Sequence, residues 1–301
     1  TFHLHPCQHH AEYRQNEKTA RELAEMMVGA VLTPPERRAG AKGEVALGVS
    51  DLSVPSPIPF GTSLKNISFT VAKGEVLGIA GVAGNGQDEL LLALNGEVRS
   101  AADKVRIYGQ PVGDLGPEAR RRAGLVSAPE ERLGHAAAPN MSLTENALLS
   151  GAVRQGLTKR GFIDWGKAEA FAKAIIEGFD VRTPGAHVAA RALSGGNLQK
   201  FVVGRELLQS PEVIVINQPT WGVDAAAAAS IRQAILDRAA AGAAVVVISQ
   251  DLDELLEIAD TFAALNGGRM TRPRPVEGLT IDEIGLMMGG AHGMEVAHHG
   301  H

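Results

Sequence analysis

The sequence predicts an α/β fold with a parallel core sheet, an antiparallel β subdomain and an α-helical subdomain. Three observations predict it. The continuous apolar runs "EVIVINQPT", from Glu212, and "AAVVVISQ", up to Gln250, are typical of parallel strands buried on both faces. The alanine-rich segment from Ala225 to Ala241 lies between them and suits the crossover helix of a βαβ unit. Nearer the start, two segments alternate in polarity as antiparallel strands do.

The amino-acid composition and net charge exclude several kinds of protein. The net charge of −5 argues against nucleic acid as a partner, because nucleic-acid-binding proteins concentrate basic residues on one face. We interpret the basic run Arg120-Arg121-Arg122 as a solvated helix face. The single cysteine, Cys7, excludes an internal disulfide and is compatible with a reducing cytosol. No apolar run reaches the 18 or more residues that a membrane-spanning helix needs.

The first two predicted strands lie in "EVALGVSDLSV" and "SLKNISFTVAKGE", with "PSPIPFG" turning between them. A third strand, Val76 to Ala80, leads into the glycine-rich "GVAGNGQDEL" and then into a leucine-rich helix. Farther along, "KVRIYGQPV" predicts a short strand pair, and "RRAGLVSAPEERLG" predicts a strand that runs into a polar loop. These segments supply the antiparallel part of the fold and the first strands of its core.

The glycine-rich loop has the layout of a phosphate-binding site. Successive backbone N–H groups at a helix N-terminus form a nest for anions. The glycine spacing fits the pattern G-x-x-x-x-G-K-[ST], except that glutamine replaces the lysine and aspartate replaces the hydroxyl residue. A tight glycine turn that holds no ligand is the alternative interpretation. The predicted loop residues are Gly81, Gly84, Asn85, Gly86, Gln87 and Asp88.

Residues 141–190 are predicted to be helical. Ser142 and Glu145 have the spacing of a capping box, and "DWGKAEAFAKAIIEGF" has helical apolar spacing. Ser194 in "LSGGNLQK" is placed to cap the next helix, so the N-terminal dipole of that helix points outward through two glycines. After the core strands, "DLDELLEIAD" predicts a solvated helix with a Leu/Ile face in preference to a metal site, and "DTFAALNGGRM" predicts a hairpin around Asn266-Gly267.

Two similar segments, an internal repeat that we call the echo, suggest how the chain is organised. Residues 19–29, "TARELAEMMVG", and 280–290, "TIDEIGLMMGG", both begin with a Thr/Glu capping box and end Met-Met-x-Gly. Such a pair is expected of the terminal helix of a duplicated unit. We therefore expect 1–43 to be the tail of an upstream copy, or disordered, and 44–290 to be one complete copy with its helical subdomain at about 141–190. The histidine-rich residues 291–301 are expected to be a disordered tail.

"LSGG" followed by a glutamine, just ahead of an apolar strand that ends "QPT", resembles the ATP-binding subunits of ABC transporters over residues 44–290. More narrowly, "GVAGNGQDEL", "PEER", "LSGGNLQKFVVGREL", "INQPTWGVD" and "ISQDLDELLEIAD" resemble the C-terminal nucleotide-binding half of the tandem ATPase of simple-sugar and nucleoside importers. This resemblance implies a P-loop, ABC-type nucleotide-binding domain. Phe60, in the turn before the second strand, either stacks on adenine as an aromatic residue does in that family or belongs to the core.

The resemblance also assigns positions in this sequence. In the family, each nucleotide lies between two domains packed head to tail, with the glycine loop of one facing the LSGG helix of the other. Here the positions of the Walker B aspartate, the general base and the switch histidine are polar but uncharged: Asn217, Gln218 and Gln250. The Q-loop position is Glu130, and the D-loop aspartate is present as Asp224. The signature is complete, with Ser194, Gly195, Gly196, Asn197 and Gln199.

These assignments predict a half-ATPase whose own Walker site is degenerate. Glutamine at the base position cannot accept a proton from the attacking water, so the isolated chain is expected to hydrolyse little or no ATP. Its LSGG helix would serve ATP and Mg²⁺ held mainly on the partner half. The implied partners are that ABC domain, membrane-spanning permease subunits and, indirectly, a periplasmic or lipoprotein solute-binding protein. The implied location is peripheral, on the cytoplasmic face of the plasma membrane. A non-catalytic module that clamps ATP is the alternative.

Overall fold

The computed structural model describes residues 43–57 and 59–290. The helix predicted at 19–29 and the tail at 291–301 lie outside these described residues. The predicted second member of the echo is confirmed: a helix spans Ile281–Met288, and Thr280 and Glu283 form its capping box. In the part of the chain that is described, no helix is both long enough and apolar enough to cross a bilayer.

The core of the molecule is a largely parallel sheet. Its strands are β3 (Val76–Ala80), β6 (Leu125–Ala128), β9 (Val213–Asn217), β10 (Ala244–Ser249), β11 (Thr261–Asn266), β12 (Arg269–Met270) and β13 (Arg274–Pro275). The order is β12-β11-β3-β10-β9-β6, with β13 also paired to β11. Strands β11, β3, β10, β9 and β6 run parallel, which confirms the predicted core. The carboxyl ends of these strands therefore lie at one edge, where loops can build a site.

A second sheet is antiparallel and has the order β2-β1-β4-β5. It consists of β1 (Val45–Val54), β2 (Leu64–Ala72), β4 (Val105–Ile107) and β5 (Gln110–Pro111). The predicted antiparallel pairs are confirmed. The sheet covers one face of the core together with α1 (Gln87–Asn95), the helix that follows the glycine loop.

The other helices pack on the opposite side, except for the first of them, which lies beside β6 at the edge of the sheet. They are α2 (Pro117–Arg122), α3 (Leu143–Gly151), α4 (Trp165–Gly178), α5 (Gly195–Leu207), α6 (Ala225–Ala240), α7 (Leu252–Ile258) and α8 (Ile281–Met288). Along β10, Val245 and Val247 join the core on this side, whereas Val246 and Ile248 join the core under the antiparallel sheet. Burial on both faces explains why the parallel strands are continuous apolar runs.

The segment 141–190 is only partly helical. The capping box of Ser142 and Glu145 and the two predicted helices, α3 and α4, are confirmed. Between them lies a hairpin of β7 (Thr158–Lys159) and β8 (Phe162–Ile163), which the prediction that 141–190 is helical did not include. Arg160 and Gly161 both have positive φ, the conformation of a two-residue hairpin turn. The hairpin around Asn266-Gly267 is confirmed, but its central residues are Gly267 and Gly268, one position later than predicted.

The prediction of a solvated basic face at residues 120–122 is wrong. Arg120 is completely buried, and its guanidinium donates hydrogen bonds to the carbonyls of Ala93, Leu94, Leu115 and Gly113. Arg121 pairs with the buried carboxylate of Glu206 at 2.8 Å. Arg122 alone is exposed, in an i,i+4 pair with Glu118. The run therefore ties α2 to its neighbours.

Candidate functional site

The glycine loop joins the end of β3 to the start of α1. Gly84 and Gly86 have φ values of 82° and 111°, so both need the left-handed backbone conformation that glycine adopts without strain. Gly86 caps α1 through its backbone, without a side-chain hydrogen bond. This backbone conformation is compatible with the predicted anion nest.

The side chain of Gln87 closes this nest from inside. Its Oε1 accepts a hydrogen bond from the backbone N–H of Asn85 at 3.0 Å, and its Nε2 donates to the carbonyl of Val82 at 2.8 Å. A Cβ on Gly81 would stand 2.5 Å from the same Nε2. Gln87 is 8% exposed, so its amide replaces solvent within the loop. One N–H group of the nest is thus already satisfied by the chain itself.

Contacts far away in sequence hold the loop in place. The Oδ1 of Asn85 accepts from the N–H of Gly267 at 2.9 Å, and its carbonyl accepts from the N–H of Gly268 at 3.0 Å. Thr62 Oγ1 donates to the carbonyl of Gly84 at 2.6 Å. The β11–β12 turn and the segment before β2 therefore fix the loop. The Asn-Gly pair at 266–267 was the one sequence signal that pointed to this turn.

Carboxylates gather where the loop faces the ends of β9 and β6. Asn217 Nδ2 donates to Asp88 Oδ1 at 2.8 Å. Burial raises the pKa of Asp88, and the nearby Glu89 carboxylate raises it further. Burial also raises the pKa of Glu130, with the Asp88 charge adding to the effect. The raised pKa values of Asp88 and Glu130 mean that their surroundings destabilise the ionised carboxylates.

Gln218 follows β9 directly and has a positive φ of 53°. Its side chain is 5% exposed, and its Oε1 lies 3.4 Å from Ser249 Oγ and 3.5 Å from the N–H of Gln250. The structure therefore brings the predicted positions Gln218 and Gln250 together at the ends of neighbouring strands. Both are amides here, so neither supplies a carboxylate or an imidazole.

A buried glutamate stands beside this pair. Glu254, on α7, is 2% exposed and accepts hydrogen bonds from Thr220 Oγ1 and Ser249 Oγ, both at 2.7 Å. Burial raises its pKa. The prediction of a solvated helix with a Leu/Ile face is confirmed for its apolar residues Leu255 and Ile258 and is wrong for Glu254. In the sequence Glu254 is one of three carboxylates in α7, and nothing in the local pattern distinguished it from the other two.

The LSGG segment begins α5 as predicted. Ser194 Oγ accepts from the N–H of Asn197 at 3.5 Å and from Asn197 Nδ2 at 3.0 Å. The N–H groups of Gly195 and Gly196 have no hydrogen-bond partner among the described residues. Gln199 faces the other way: it is 1% exposed, and its Nε2 donates to the carbonyls of Gln218 and Pro219. Open donors thus stand at the N-terminus of α5.

One cavity of about 660 Å³ joins the two motifs. It runs from the glycine loop, past the strand ends and the polar "PEER" loop, to the start of α5; Gln87, Asp88, Glu130, Asn217, Gln218, Gln250 and Gly195 contribute to its lining. Two other predicted residues lie apart from it. Asp224 caps α6 by accepting from the N–H of Ala227 at 2.8 Å. Phe60 is fully exposed, so it does not belong to the core.

Comparison with known proteins identifies a family and several relatives. The family model described as ABC transporter matches residues 64–221. The nucleoside import ATP-binding protein NupA of Lactococcus lactis is 32% identical over 92% of this chain and 54% of its own length. The glucose import ATP-binding protein TsgD13 of Haloferax volcanii is 37% identical over 89% of this chain and 49% of its own length. This chain therefore spans about half the length of these curated relatives.

Solved structures share the fold. The ATP-binding subunit of an ABC transporter superimposes with a TM-score of 0.64 at 22% identity, covering 81% of this chain and 99% of that one. A dimeric ATP-binding cassette in a post-hydrolysis state, bound to ADP and Pi, gives a TM-score of 0.65 at 20% identity, with 77% and 100% covered. The mixed core sheet, the antiparallel sheet and the helices are arranged here as in those domains.

Proposed function

This chain belongs to the ABC transporter family of ATP-binding domains, and from that premise we propose that it is one nucleotide-binding half of an importer ATPase. In this proposal its LSGG helix is presented to ATP bound on a partner ABC domain packed head to tail. One observation carries the proposal. The N–H groups of Gly195 and Gly196 are open at the N-terminus of α5, whereas the nest of the glycine loop is closed by the Gln87 amide.

The chain's own loop fits Mg²⁺ and ATP poorly. Lysine at the position of Gln87 would give a charge-assisted contact to phosphate, a contribution of about 1.5–3 kcal/mol that the glutamine does not supply. The carboxylates of Asp88 and Glu130 would repel phosphate. Asn217 directs an N–H donor, not an acceptor, at Asp88. These contacts support a degenerate Walker site, in which Gln218 and Gln250 replace the base and the switch residue.

The LSGG segment at the start of α5 is suited to bind a phosphate group. Ser194 and the N–H groups of Gly195, Gly196 and Asn197 would bind the terminal phosphate of the partner's ATP and stabilise the charge that develops as it is transferred. Magnesium would be held mainly by the partner half. When the interface closes on ATP, the "PEER" loop at Glu130 and the insert at about 141–190 would move the permease subunits, and import of substrate would follow.

We further propose that the chain is the C-terminal half of a tandem ATPase. The matched part makes up about half of each relative, and the confirmed capping box of α8 supports one member of the internal echo. In this arrangement 44–290 is one nucleotide-binding domain, and residues 1–43 end an upstream copy. The D-loop aspartate, Asp224, would lie at the interface between the halves.

The names of the relatives support a sugar or nucleoside as the imported solute, because they include nucleoside, glucose, guanosine and ribose importers. The proposed partners are membrane-spanning permease subunits and, through them, a periplasmic or lipoprotein solute-binding protein. The chain would then sit peripherally on the cytoplasmic face of the plasma membrane.

Turnover of the isolated chain tests the proposal. The purified chain, at micromolar concentration with Mg²⁺ and millimolar ATP, is expected to hydrolyse ATP no faster than buffer. Adding a partner ABC domain with a complete GK[ST] loop is expected to restore turnover, and Gly195→Asp in this chain is expected to abolish it. Turnover by the isolated chain that Gln218→Ala removes would overturn the proposal.

A second candidate is a regulatory module that clamps ATP without hydrolysing it. The left-handed backbone conformation of Gly84 and Gly86 and the cavity beside the loop favour this candidate. Equilibrium binding separates the two. Micromolar, Mg²⁺-dependent ATP binding that Gly86→Asp destroys would support the clamp, and no binding at millimolar ATP would support the signature donor.

A further inference from the structure

The guanidinium of Arg132 lies directly against the N-terminus of α5. A Cβ on Gly195 would stand 2.7 Å from Arg132 Nη1, and one on Gly222 would stand 2.9 Å from Nη2. Nη2 also donates to the carbonyl of Trp221 at 2.6 Å. Only glycine at 195 and 222 leaves room for the guanidinium in this position. The contact joins the "PEER" loop to the start of the LSGG helix.

This contact brings two positively charged groups together. A helix N-terminus carries a partial positive charge from its aligned peptide dipoles, and a guanidinium is fully charged. Among the described residues, no carboxylate lies within salt-bridge distance of Arg132. The hydrogen bond to Trp221 is its one side-chain hydrogen bond to a described residue. The Glu130 carboxylate attracts the guanidinium from beyond salt-bridge distance and offsets part of its charge. An anion between the guanidinium and the helix N-terminus would stabilise both.

The charged residues that line the cavity determine where in it an anion would bind. Asp88, Glu130 and Glu131 line the end near the glycine loop. Arg132 and Gly195 line the cavity where α5 begins, and the N–H groups of Gly195 and of the next residue, Gly196, have no partner among the described residues. An oxyanion is therefore repelled by the chain's own loop and attracted to the start of α5. The planar fork of a guanidinium matches two phosphate oxygens at once.

We propose that Arg132 is a phosphate-binding residue that acts with the N–H groups of Gly195 and Gly196 on the terminal phosphate of ATP held by the partner domain. The inference rests on the proposed function and adds a residue to it. In the hydrolysis, a water oxygen forms a bond to the terminal phosphorus while the bond to the bridging oxygen breaks. That electron pair stays on ADP, and the proton of the water goes to a carboxylate base of the partner's site. Arg132 neutralises the charge on the departing phosphoryl oxygens.

The test uses the complex of this chain with a partner ABC domain that has a complete GK[ST] loop. The variants are Arg132→Ala and Arg132→Lys, with Arg191→Ala as the matched control because Arg191 is an exposed arginine just before the signature. Loss of one donor to a transition state reduces kcat by about 100-fold, and we expect that loss in Arg132→Ala with a change of less than about threefold in the KM for ATP. The lysine variant is expected to recover part of kcat, since it keeps the charge without the fork.

Rescue distinguishes phosphate binding from a structural role. If Arg132 only braced the Trp221 carbonyl, Arg132→Ala would lower the melting temperature, and added guanidinium ion would not restore turnover. We expect millimolar guanidinium to restore kcat of Arg132→Ala by at least about tenfold and to leave Arg191→Ala unchanged. Vanadate trapping of ADP in the complex is expected to weaken in parallel with kcat.

Two outcomes separate this inference from the function on which it rests. If Gly195→Asp abolishes turnover of the complex while Arg132→Ala stays within twofold of Arg191→Ala, the role of Arg132 is wrong and the signature donor stands. If Gly195→Asp leaves turnover unchanged, the proposed function itself fails. A loss of kcat in Arg132→Ala without guanidinium rescue also overturns the assignment to phosphate.

Discussion

Asn217 Nδ2 donates a hydrogen bond to Asp88 Oδ1 at 2.8 Å, although the two residues are 129 positions apart in the chain. The bond joins the end of β9 to the first turn of α1. Asn217 is 1% exposed, and its Oδ1 has no partner among the described residues. The uncharged amide of Asn217 thus contacts the carboxylate of Asp88 at the point where nucleotide would approach the loop.

Asp88→Asn is expected to stabilise the chain at neutral pH. Burial and the Glu89 charge raise the pKa of Asp88 above its usual value of 3.8, so the ionised form is the less stable one in the folded protein. The stability linked to this raised pKa is present below pH 3.8 and is lost as the pH rises through the folded pKa. Urea unfolding at pH 7 and at pH 3.5 measures the effect.

The gain in free energy of unfolding from Asp88→Asn should be clear at pH 7 and should shrink at pH 3.5. Asp103→Asn, at an exposed position, serves as the control and should change little at either pH. An Asp88→Asn variant that is less stable than the wild type at pH 7 would show that the charged bond from Asn217 outweighs burial.

Opening the glycine loop should create a nucleotide site. In the double variant Gln87→Lys/Asp88→Thr, the amide that holds the Asn85 N–H is gone, and the cation and hydroxyl of a complete phosphate loop are present. A charge-assisted contact contributes about 1.5–3 kcal/mol, so ATP affinity should rise about 10- to 100-fold over the wild type. Titration calorimetry with Mg²⁺ and ATP measures the gain. Adding Gly86→Asp to the double variant should remove it.

Arg120→Met is expected to destabilise the protein by about 3 kcal/mol, because the carbonyls that Arg120 satisfies would be left buried without donors. Two of these carbonyls, those of Ala93 and Leu94, belong to the last turn of α1. Burial lowers the pKa of Arg120 to about 10, so the charged side chain is held by these bonds despite the cost of removing it from water.

Arg122→Met is the matched control for Arg120→Met, because it changes the same residue type two positions away. Its exposed pair with Glu118 contributes less than about 0.5 kcal/mol. Equal losses in the two variants, measured by urea unfolding, would contradict the structural difference between these neighbours.

What the sequence predicted depended on local signals. Residue spacing within a few positions predicted three features that are confirmed: the strand before the glycine loop, the capping box at Ser142 and the helix cap at Ser194. Continuous apolar runs predicted the buried parallel strands in the same way. Spacing also predicted an anion nest at the glycine loop, but it did not show that the Gln87 side chain turns inward and bonds within the loop.

What the sequence did not predict depends on partners far along the chain. Arg120 is buried because carbonyls at 93, 94, 113 and 115 converge on it, and three adjacent arginines carry no sign of that convergence. Glu254 is buried because two hydroxyls donate to it, that of Thr220 from the loop after β9 and that of Ser249 from the end of β10. In both cases hydrogen bonds to other elements offset the free-energy cost of burying a charged side chain. Local periodicity cannot detect such bonds.

The pair formed by His135 and Glu97 should make stability depend on pH. His135 Nε2 lies 2.9 Å from Glu97 Oε1, and this hydrogen bond raises the pKa of the histidine and lowers that of the glutamate. The histidine's contribution is complete below its unfolded pKa of 6.5 and is lost as the pH rises through the folded pKa. The glutamate's contribution is present above 4.5 and is lost as the pH falls through its lowered pKa.

The cost of His135→Ala should therefore be largest between pH 4.5 and 6.5 and should fall by pH 8.5. Since both side chains are about a third exposed, the effect is modest, about 0.5 kcal/mol at moderate ionic strength. Thermal unfolding across this range measures it, and the exposed His187 provides the control variant His187→Ala. A cost of His135→Ala that does not vary with pH would exclude the ion pair.

Two glycines in helices should respond oppositely to the same substitution. A Cβ on Gly204, in α5, would stand 2.5 Å from Phe179 Cδ2, whereas a Cβ on Gly285, in α8, would meet nothing within 4 Å. Alanine favours a helix over glycine by about 1 kcal/mol, so Gly285→Ala should stabilise the protein by up to that amount. Gly204→Ala should destabilise it by about 1–3 kcal/mol, because Phe179 must move within a packed core. Urea unfolding of both variants should give opposite signs; a stabilised Gly204→Ala would mean that Phe179 has room to turn away and that α5 is not held by this contact.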